Sequence, residues 1–354
     1  MDCLETGWIS SAGSYIEKFE RTFADYIGTK HGISVSSGTA ALHAALCALG
    51  IQPGDEVIVP AFTMMATIFA VLYTGAKPVF VDCDQETFNI DPRQIEAKIT
   101  RKTKALMAVH LFGHSCDMDT ILEIAKRFGL FVIEDAAEAH GGEYKGRKCG
   151  AMSDIACFSF YANKIVTTGE GGMILTNSDA LAKKLRKIRD LYHSDQRRFI
   201  HEDIGYNYRL TNIQAAIGLG QLENVQQSIS RKLSMAERYR SQLTTIPGIR
   251  TPVTRPEVKN VYWMYVILIE KEKFGISKDE LRIRLRDYQI DSRDLFYPPH
   301  RQPVLQKYLT LTEIFPNTEY ASQNGCYLPS GLAITDDEID RVCQTIATIR
   351  STLS

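Results

Sequence analysis

The sequence predicts an α/β fold, with a mainly parallel sheet buried between two layers of helices and a smaller α+β unit after it. Three observations predict this. Short runs rich in Val, Ile and Phe alternate with amphipathic helical patterns through the first 150 residues, as strands joined by crossover helices do. Those runs are apolar at consecutive positions, so both faces of each strand are buried. The chain has 354 residues, enough for one large domain and a smaller one. A turn-rich stretch, IPGIRTPVTRPEV, separates the two patterns. We place the domains at residues 1–240 and 241–354.

The elements follow in order. YIEKFERTFADYI has helical apolar spacing and GISV reads as a strand. GTAALHAALCALG is an alanine-leucine helix and EVIVP a strand. FTMMATIFAVLY is helical, PVFVD a strand, and DPRQIEAKI a capped helix. ALMAVH is a strand, MDTILEIAKRF a helix and LFVIED a strand. Next, IACFSF and GGMILT are strands close together in sequence, and SDALAKKLRKIRDLY is an amphipathic helix. The segment from TNIQAAIGLGQLE to MAERYRSQL is one long helical pattern, weakened at Gly218 and Gly220, of a length suited to bridging two domains. WMYVILIE, DELRIRLRDY, SRDLF and DDEIDRVCQTIATIR supply the smaller α+β unit.

Composition narrows the function classes. Lys plus Arg is 41 and Asp plus Glu is 42, a balance that argues against a nucleic-acid-binding surface. The eight cysteines include no C-x-x-C pair, as expected of free thiols in a reducing compartment. His110 and His114 are four apart, but Gly113 and the flanking LFGHS read as a loop and not a shared helix face, so both are read as unligated and no metal is expected. No run approaches the ~18 apolar residues of a membrane helix. The opening MDCLETGWIS lacks the basic start and apolar run of a signal peptide. A cytoplasmic protein is the expectation.

No G-x-G-x-x-G, P-loop or G-x-S-x-G pattern occurs, which takes support from nicotinamide dehydrogenases, P-loop kinases and serine hydrolases. Three features are present instead. Ser36-Ser37-Gly38-Thr39 joins a strand to a helix start, where free N–H groups favour an anion; taken alone, helix capping by Ser37 or Thr39 accounts for it. Asp135 ends the strand LFVIED, and ligands of open α/β sheets sit at strand carboxyl ends; a cap or a salt bridge is the alternative. Lys164 follows Ser159 in SFYANKIVTTGEGG, and by residue type alone a solvated turn lysine is commoner. Together the three form a chemical set: an anion site, a carboxylate for a cationic ring nitrogen, and an amine for an aldehyde. Pyridoxal phosphate needs all three.

The segments GWISSAGSYIEKFE, VSSGTAALHAAL, GDEVIVPAFT, VIEDAAEAHG, FSFYANKIVTTGEGGM, IGYNYRLTNIQAAIGLGQLE and FYPPH carry a resemblance across nearly the whole chain. The sequence resembles the DegT/DnrJ/EryC1/StrS family of sugar aminotransferases. The resemblance implies fold type I, with a sheet of the seven-stranded type. It implies that Lys164 is the Schiff-base lysine and the general base, and that Asp135 pairs with the pyridinium nitrogen. Glu138 would lie near the ring hydroxyl, and Gly38, Thr39 and Ser159 would hold the phosphate. Met64 stands where many relatives stack an aromatic on the ring, and a thioether also packs on a π face. Asn207 would reach the phosphate of the other subunit, so a homodimer with shared active sites is implied. Trp8, Ser10, Tyr297 and His300 would border the sugar pocket. Fewer residues precede GWIS here than in most relatives.

The expected reaction moves an amine from L-glutamate to a nucleotide-linked 4-keto-6-deoxy sugar. GDP-4-keto-6-deoxymannose is the expected acceptor and a UDP-linked 4-keto sugar the alternative. A dehydratase on the same fold is the next rival, but such members carry histidine in place of the Schiff-base lysine. A non-enzymatic ligand sensor would be favoured by loss of Lys164 or Asp135, and both are present.

Overall fold

A computed structural model describes residues 1–197, 199–308 and 312–353. In chain order its elements are α1 (Asp2–Thr6), α2 (Ser14–Ile27), β1 (His31–Val35), α3 (Gly38–Ala48), β2 (Glu56–Pro60), α4 (Met65–Tyr73), β3 (Lys77–Val81), β4 (Thr103–Val109), α5 (Met118–Phe128) and β5 (Phe131–Asp135). The short strands β6 (Glu143–Tyr144) and β7 (Arg147–Lys148) precede β8 (Ile155–Ser159), β9 (Gly172–Thr176), α6 (Asp179–Arg189), α7 (Asn212–Glu223) and α8 (Val225–Leu243). The remainder holds β10 (Ile249–Arg250), β11 (Val258–Lys259), β12 (Tyr265–Ile269), α9 (Lys271–Phe274), α10 (Lys278–Asp287), β13 (Arg293–Asp294), α11 (Pro316–Asn324), β14 (Gly325–Leu328) and α12 (Asp336–Ser351).

The main sheet has seven strands in the order β1-β9-β8-β5-β4-β2-β3. β9 runs antiparallel to both neighbours, and the other strands are parallel. Side chains alternate between two cores. Ile133, Ile155 and Cys157 pack with α3 on one face, while Val132, Ala156 and Phe158 pack on the other. This two-sided burial is why the strands read as continuous apolar runs. The sequence expectation of a fold type I architecture is met by this mainly parallel sheet between helices.

A second sheet, β10-β12-β14-β13, is antiparallel throughout. Its own core draws on α10, α12 and the later half of α8. Val225 and Ile229 of α8 pack into the first core, whereas Tyr239 and Leu243 pack into the second. One helix therefore ties the two cores together.

Two elements differ from the sequence reading. DPRQIEAKI forms two 3₁₀ turns, Pro92–Gln94 and Glu96–Lys98, in place of a capped helix. The buried Asp91 carboxylate accepts from the Arg93 N–H, the Arg93 guanidinium and the Gln94 amide, which draws the chain into the tighter turn. The long helical pattern breaks at Asn224, between α7 and α8, and runs through Gly218 and Gly220. Gly218 is there for close approach. A Cβ at that position would meet Cζ of Phe19 at 2.5 Å, so glycine lets α2 pack against α7.

Candidate active site

The carboxyl ends of β5 and β8 and the first turn of α3 surround a cavity of about 400 Å³. The parallel registers set this up, since Val109, Asp135 and Cys157 are successive partners across β4, β5 and β8. Asp135 is the last residue of β5 and is 6% exposed. Its Oδ2 accepts from Thr67 Oγ1 at 2.9 Å, and its Oδ1 accepts from the Ala137 N–H at 3.2 Å. Burial pushes the Asp135 carboxyl above its usual range, while those two hydrogen bonds and the charge of Lys164 pull it down.

Lys164 lies in the turn after β8, with its N–H donated to the Tyr161 carbonyl at 2.9 Å. Its side chain is 10% exposed, and Nζ lies 3.9 Å from Glu138 Oε1. The same nitrogen sits 3.6 Å from the centroid of the Trp263 ring. Burial lowers the ammonium pKa, with Glu138 and Asp135 acting against it. The lysine is thus brought toward the neutral amine that a nucleophile requires. Burial pushes Glu138 up to about 7, against the attraction of Lys164 and the Phe112 N–H that Oε2 accepts at 2.8 Å.

The third corner is the start of α3. Ser37 caps it, accepting from the Ala40 N–H at 3.1 Å, so the capping reading of this motif holds. A helix start also has N–H groups without intrahelical partners, and Gly38 and Thr39 both line the cavity. Ser159 approaches from the end of β8. A Cβ on Gly38 would lie 2.8 Å from Cβ of Ser159, so only glycine lets helix and strand meet at this spacing.

Gly38, Thr39, Met64, Asp135, Glu138, Ser159 and Lys164 all line this one cavity. The remaining sequence candidates do not line it within a single chain. Asn207 is exposed and bridges Asp190 through its backbone. The Trp8 and Ser10 carbonyls accept from Asn212, at 2.7 Å each. Tyr297 is exposed, and buried His300 pairs with Glu319 at 2.7 Å. His110 is bonded to Glu134 at 2.9 Å, with its Nδ1 accepting from the Cys116 N–H. No cluster of three or more His, Cys, Asp or Glu suited to a metal occurs among the described residues.

Sequence reasoning missed Thr67 and Trp263. Thr67 follows Met64 by one helical turn in AFTMMAT, a faint signal. Trp263 is fixed at three points: its N–H donates to Phe112 O at 2.8 Å, its Nε1 to Asn163 O at 2.9 Å, and its carbonyl accepts from Lys232 Nζ at 2.8 Å. Lys232 is itself buried, and burial lowers it to about 8.

A strand-end carboxylate held for a cationic nitrogen, a buried lysine of lowered pKa and a glycine-started helix fit the ring nitrogen, aldehyde and phosphate of pyridoxal phosphate. Fold and site together define an aminotransferase of fold type I. The model of the DegT/DnrJ/EryC1/StrS aminotransferase family matches residues 1–347, and the chain belongs to that family, whose cofactor is pyridoxal phosphate. GDP-perosamine synthase of Caulobacter vibrioides is 47% identical over 347 residues, 97% of this chain and 92% of that protein. GDP-perosamine synthase of Escherichia coli O157:H7 is 44% identical, over 98% and 93% of the two chains. Among solved structures, S. venezuelae DesV superposes with a TM-score of 0.93 at 37% identity, covering 99% of this chain and 92% of its own.

Proposed function

We propose that this aminotransferase makes GDP-perosamine, taking the amine of L-glutamate and placing it on C4 of GDP-4-keto-6-deoxymannose. The observation that carries the chemistry is Lys164, buried beside Glu138 and within the same cavity as Asp135. The substrate assignment is supported by the full-length likeness to GDP-perosamine synthases.

When bound, pyridoxal phosphate supplies an aldehyde that exchanges with amines and a ring that delocalises the electron pair left by proton removal. Gly38, Thr39 and Ser159 would hold its phosphate, and Met64 would pack on its ring. Asp135, oriented by Thr67, would keep the proton on its ring nitrogen. Lys164 takes a proton from Cα of L-glutamate, and in the second half-reaction delivers one to C4 of the sugar. Glu138 holds a proton close to neutral pH beside Lys164 and sets that amine's charge. Trp263 closes one side of Lys164 against water.

We also infer a homodimer in which Asn207 of each chain completes the phosphate site of the other, with Trp8, Ser10, Tyr297 and His300 bordering the sugar. The two cores support a division near residue 240, and cytoplasmic placement accords with the biosynthetic relatives. No helix among the described residues is long and apolar enough to cross a membrane.

The test is a coupled assay with GDP-4-keto-6-deoxymannose and UDP-linked 4-keto sugars side by side. The expected result is a higher kcat/KM for the GDP-linked sugar. A preference for a UDP-linked sugar overturns the perosamine assignment and leaves the transamination standing.

A further inference from the structure

A second cavity, of about 450 Å³, adjoins the first and shares Asn163, Trp263 and Phe296 with it as a common wall. Its other walls come from β13, β14 and the loop after β14. Strand alternation decides which side chains face it. Arg293 pairs with Tyr327, and both line the cavity. Asp294 pairs with Cys326 and is engaged by Lys278, at 2.6 Å, and by Arg282.

The two facing residues have unmet bonding capacity. Arg293 is exposed and makes no ion pair or side-chain hydrogen bond among the described residues, although a guanidinium carries five donors. The Tyr327 hydroxyl is buried without a hydrogen-bond partner among the described residues. A buried, unpaired hydroxyl costs free energy unless a ligand or a water meets it. That hydroxyl is closed off from the cavity, so the open Arg293 fork is the group that suits an oxyanion there. Asp291 also lines the cavity, with its Oδ1 accepting from the Ser292 N–H at 2.9 Å.

We propose that Arg293 anchors an anionic group of a reacting substrate, across the Trp263 wall from Lys164. This rests on the transamination reading above. Both substrates of that reaction are anions that use one site in turn. L-glutamate has two carboxylates and the nucleotide sugar has a diphosphate, and a guanidinium fork fits either.

The holoenzyme tests this by equilibrium titration with L-glutamate, GDP and UDP separately, and by the half-reaction kinetics with L-glutamate alone. Binding of the nucleotides is read from the fluorescence of the two tryptophans, Trp8 and Trp263. Arg293→Gln is expected to weaken at least one ligand by about ten-fold or more, as loss of a charge-assisted hydrogen bond does. The limiting rate of the glutamate half-reaction should change little. Arg293→Lys should recover part of the loss, and Tyr327→Phe, which removes a hydroxyl closed off from the cavity, should change affinity little. A loss confined to L-glutamate assigns the carboxylate; a loss confined to the nucleotides assigns the diphosphate. Unchanged affinity for all three in Arg293→Gln overturns the proposal. Wild-type preference for UDP over GDP would count against the perosamine reading alone, because the Arg293 effect would then still appear with UDP.

Discussion

Replacing Glu138 with glutamine isolates one charge at the centre of the site. The amide keeps an acceptor for the Phe112 N–H, so the backbone there has no reason to move. What is lost is an ionisable group 3.9 Å from Lys164 Nζ. At that separation a unit charge pair is worth about 4 kcal/mol at an effective dielectric of ~20, or up to about 3 pKa units. Above neutral pH, where Glu138 is charged, Glu138→Gln should lower the Lys164 pKa and raise the amine's reactivity. Below it the carboxyl is already neutral and the two proteins should converge. The assay is pH-dependent labelling of Lys164 in the cofactor-free protein with an amine reagent, read by peptide mass mapping. Superimposable labelling profiles would refute the coupling. Stability gives an independent reading. The Glu138 pKa is raised on folding, from 4.5 to about 7, so its stabilising contribution is present below the lower value and lost as pH rises through the upper one. The difference corresponds to about 3 kcal/mol. The unfolding free energy of wild type minus that of Glu138→Gln should fall by that amount between those pH values, the other titrating groups being common to both proteins.

Three further outcomes follow from the geometry. Asp135→Asn keeps the Thr67 contact in place but cannot hold a proton on the ring nitrogen; it should bind pyridoxal phosphate and lose transamination at least about a hundred-fold, and full activity would make Asp135 structural. Gly38→Ala puts a Cβ 2.8 Å from Ser159 Cβ, so cofactor affinity measured by dialysis and absorbance should fall, with an unchanged affinity refuting the close-contact argument. Lys164→Ala and Asn207→Ala chains should each be weak, and their mixed dimers should regain activity because one of two sites is whole; a fully active monomer would end the shared-site idea.

The legible parts of this protein were local in sequence. Strands and helices carried their own periodicity, and the pattern marks the strand end of Asp135, the helix start of Gly38 and the turn after a strand that holds Lys164. What was not legible depends on distant contacts. Thr67 meets Asp135 across 68 residues, and Trp263 meets Asn163 across 100. No local signal encodes either pairing. The Asp91 turns escaped because a capping aspartate before proline also starts ordinary helices, and here its carboxylate gathers Arg93 and Gln94 instead. Gly218 looked like a helix breaker and is a packing site, since helix propensity is a weak prior beside a Phe ring that needs the space. Trp8, Ser10, Tyr297 and His300 came from resemblance alone, and none lines the cavity of the single chain.

The most direct test of the central claim follows the nitrogen itself. The holoenzyme is given ¹⁵N-labelled L-glutamate and GDP-4-keto-6-deoxymannose, and the nucleotide sugar is recovered for mass spectrometry and NMR. The account predicts ¹⁵N bonded to C4 of the product in wild type and none in Lys164→Ala. Unlabelled sugar from the wild type, or label at another carbon, would contradict it.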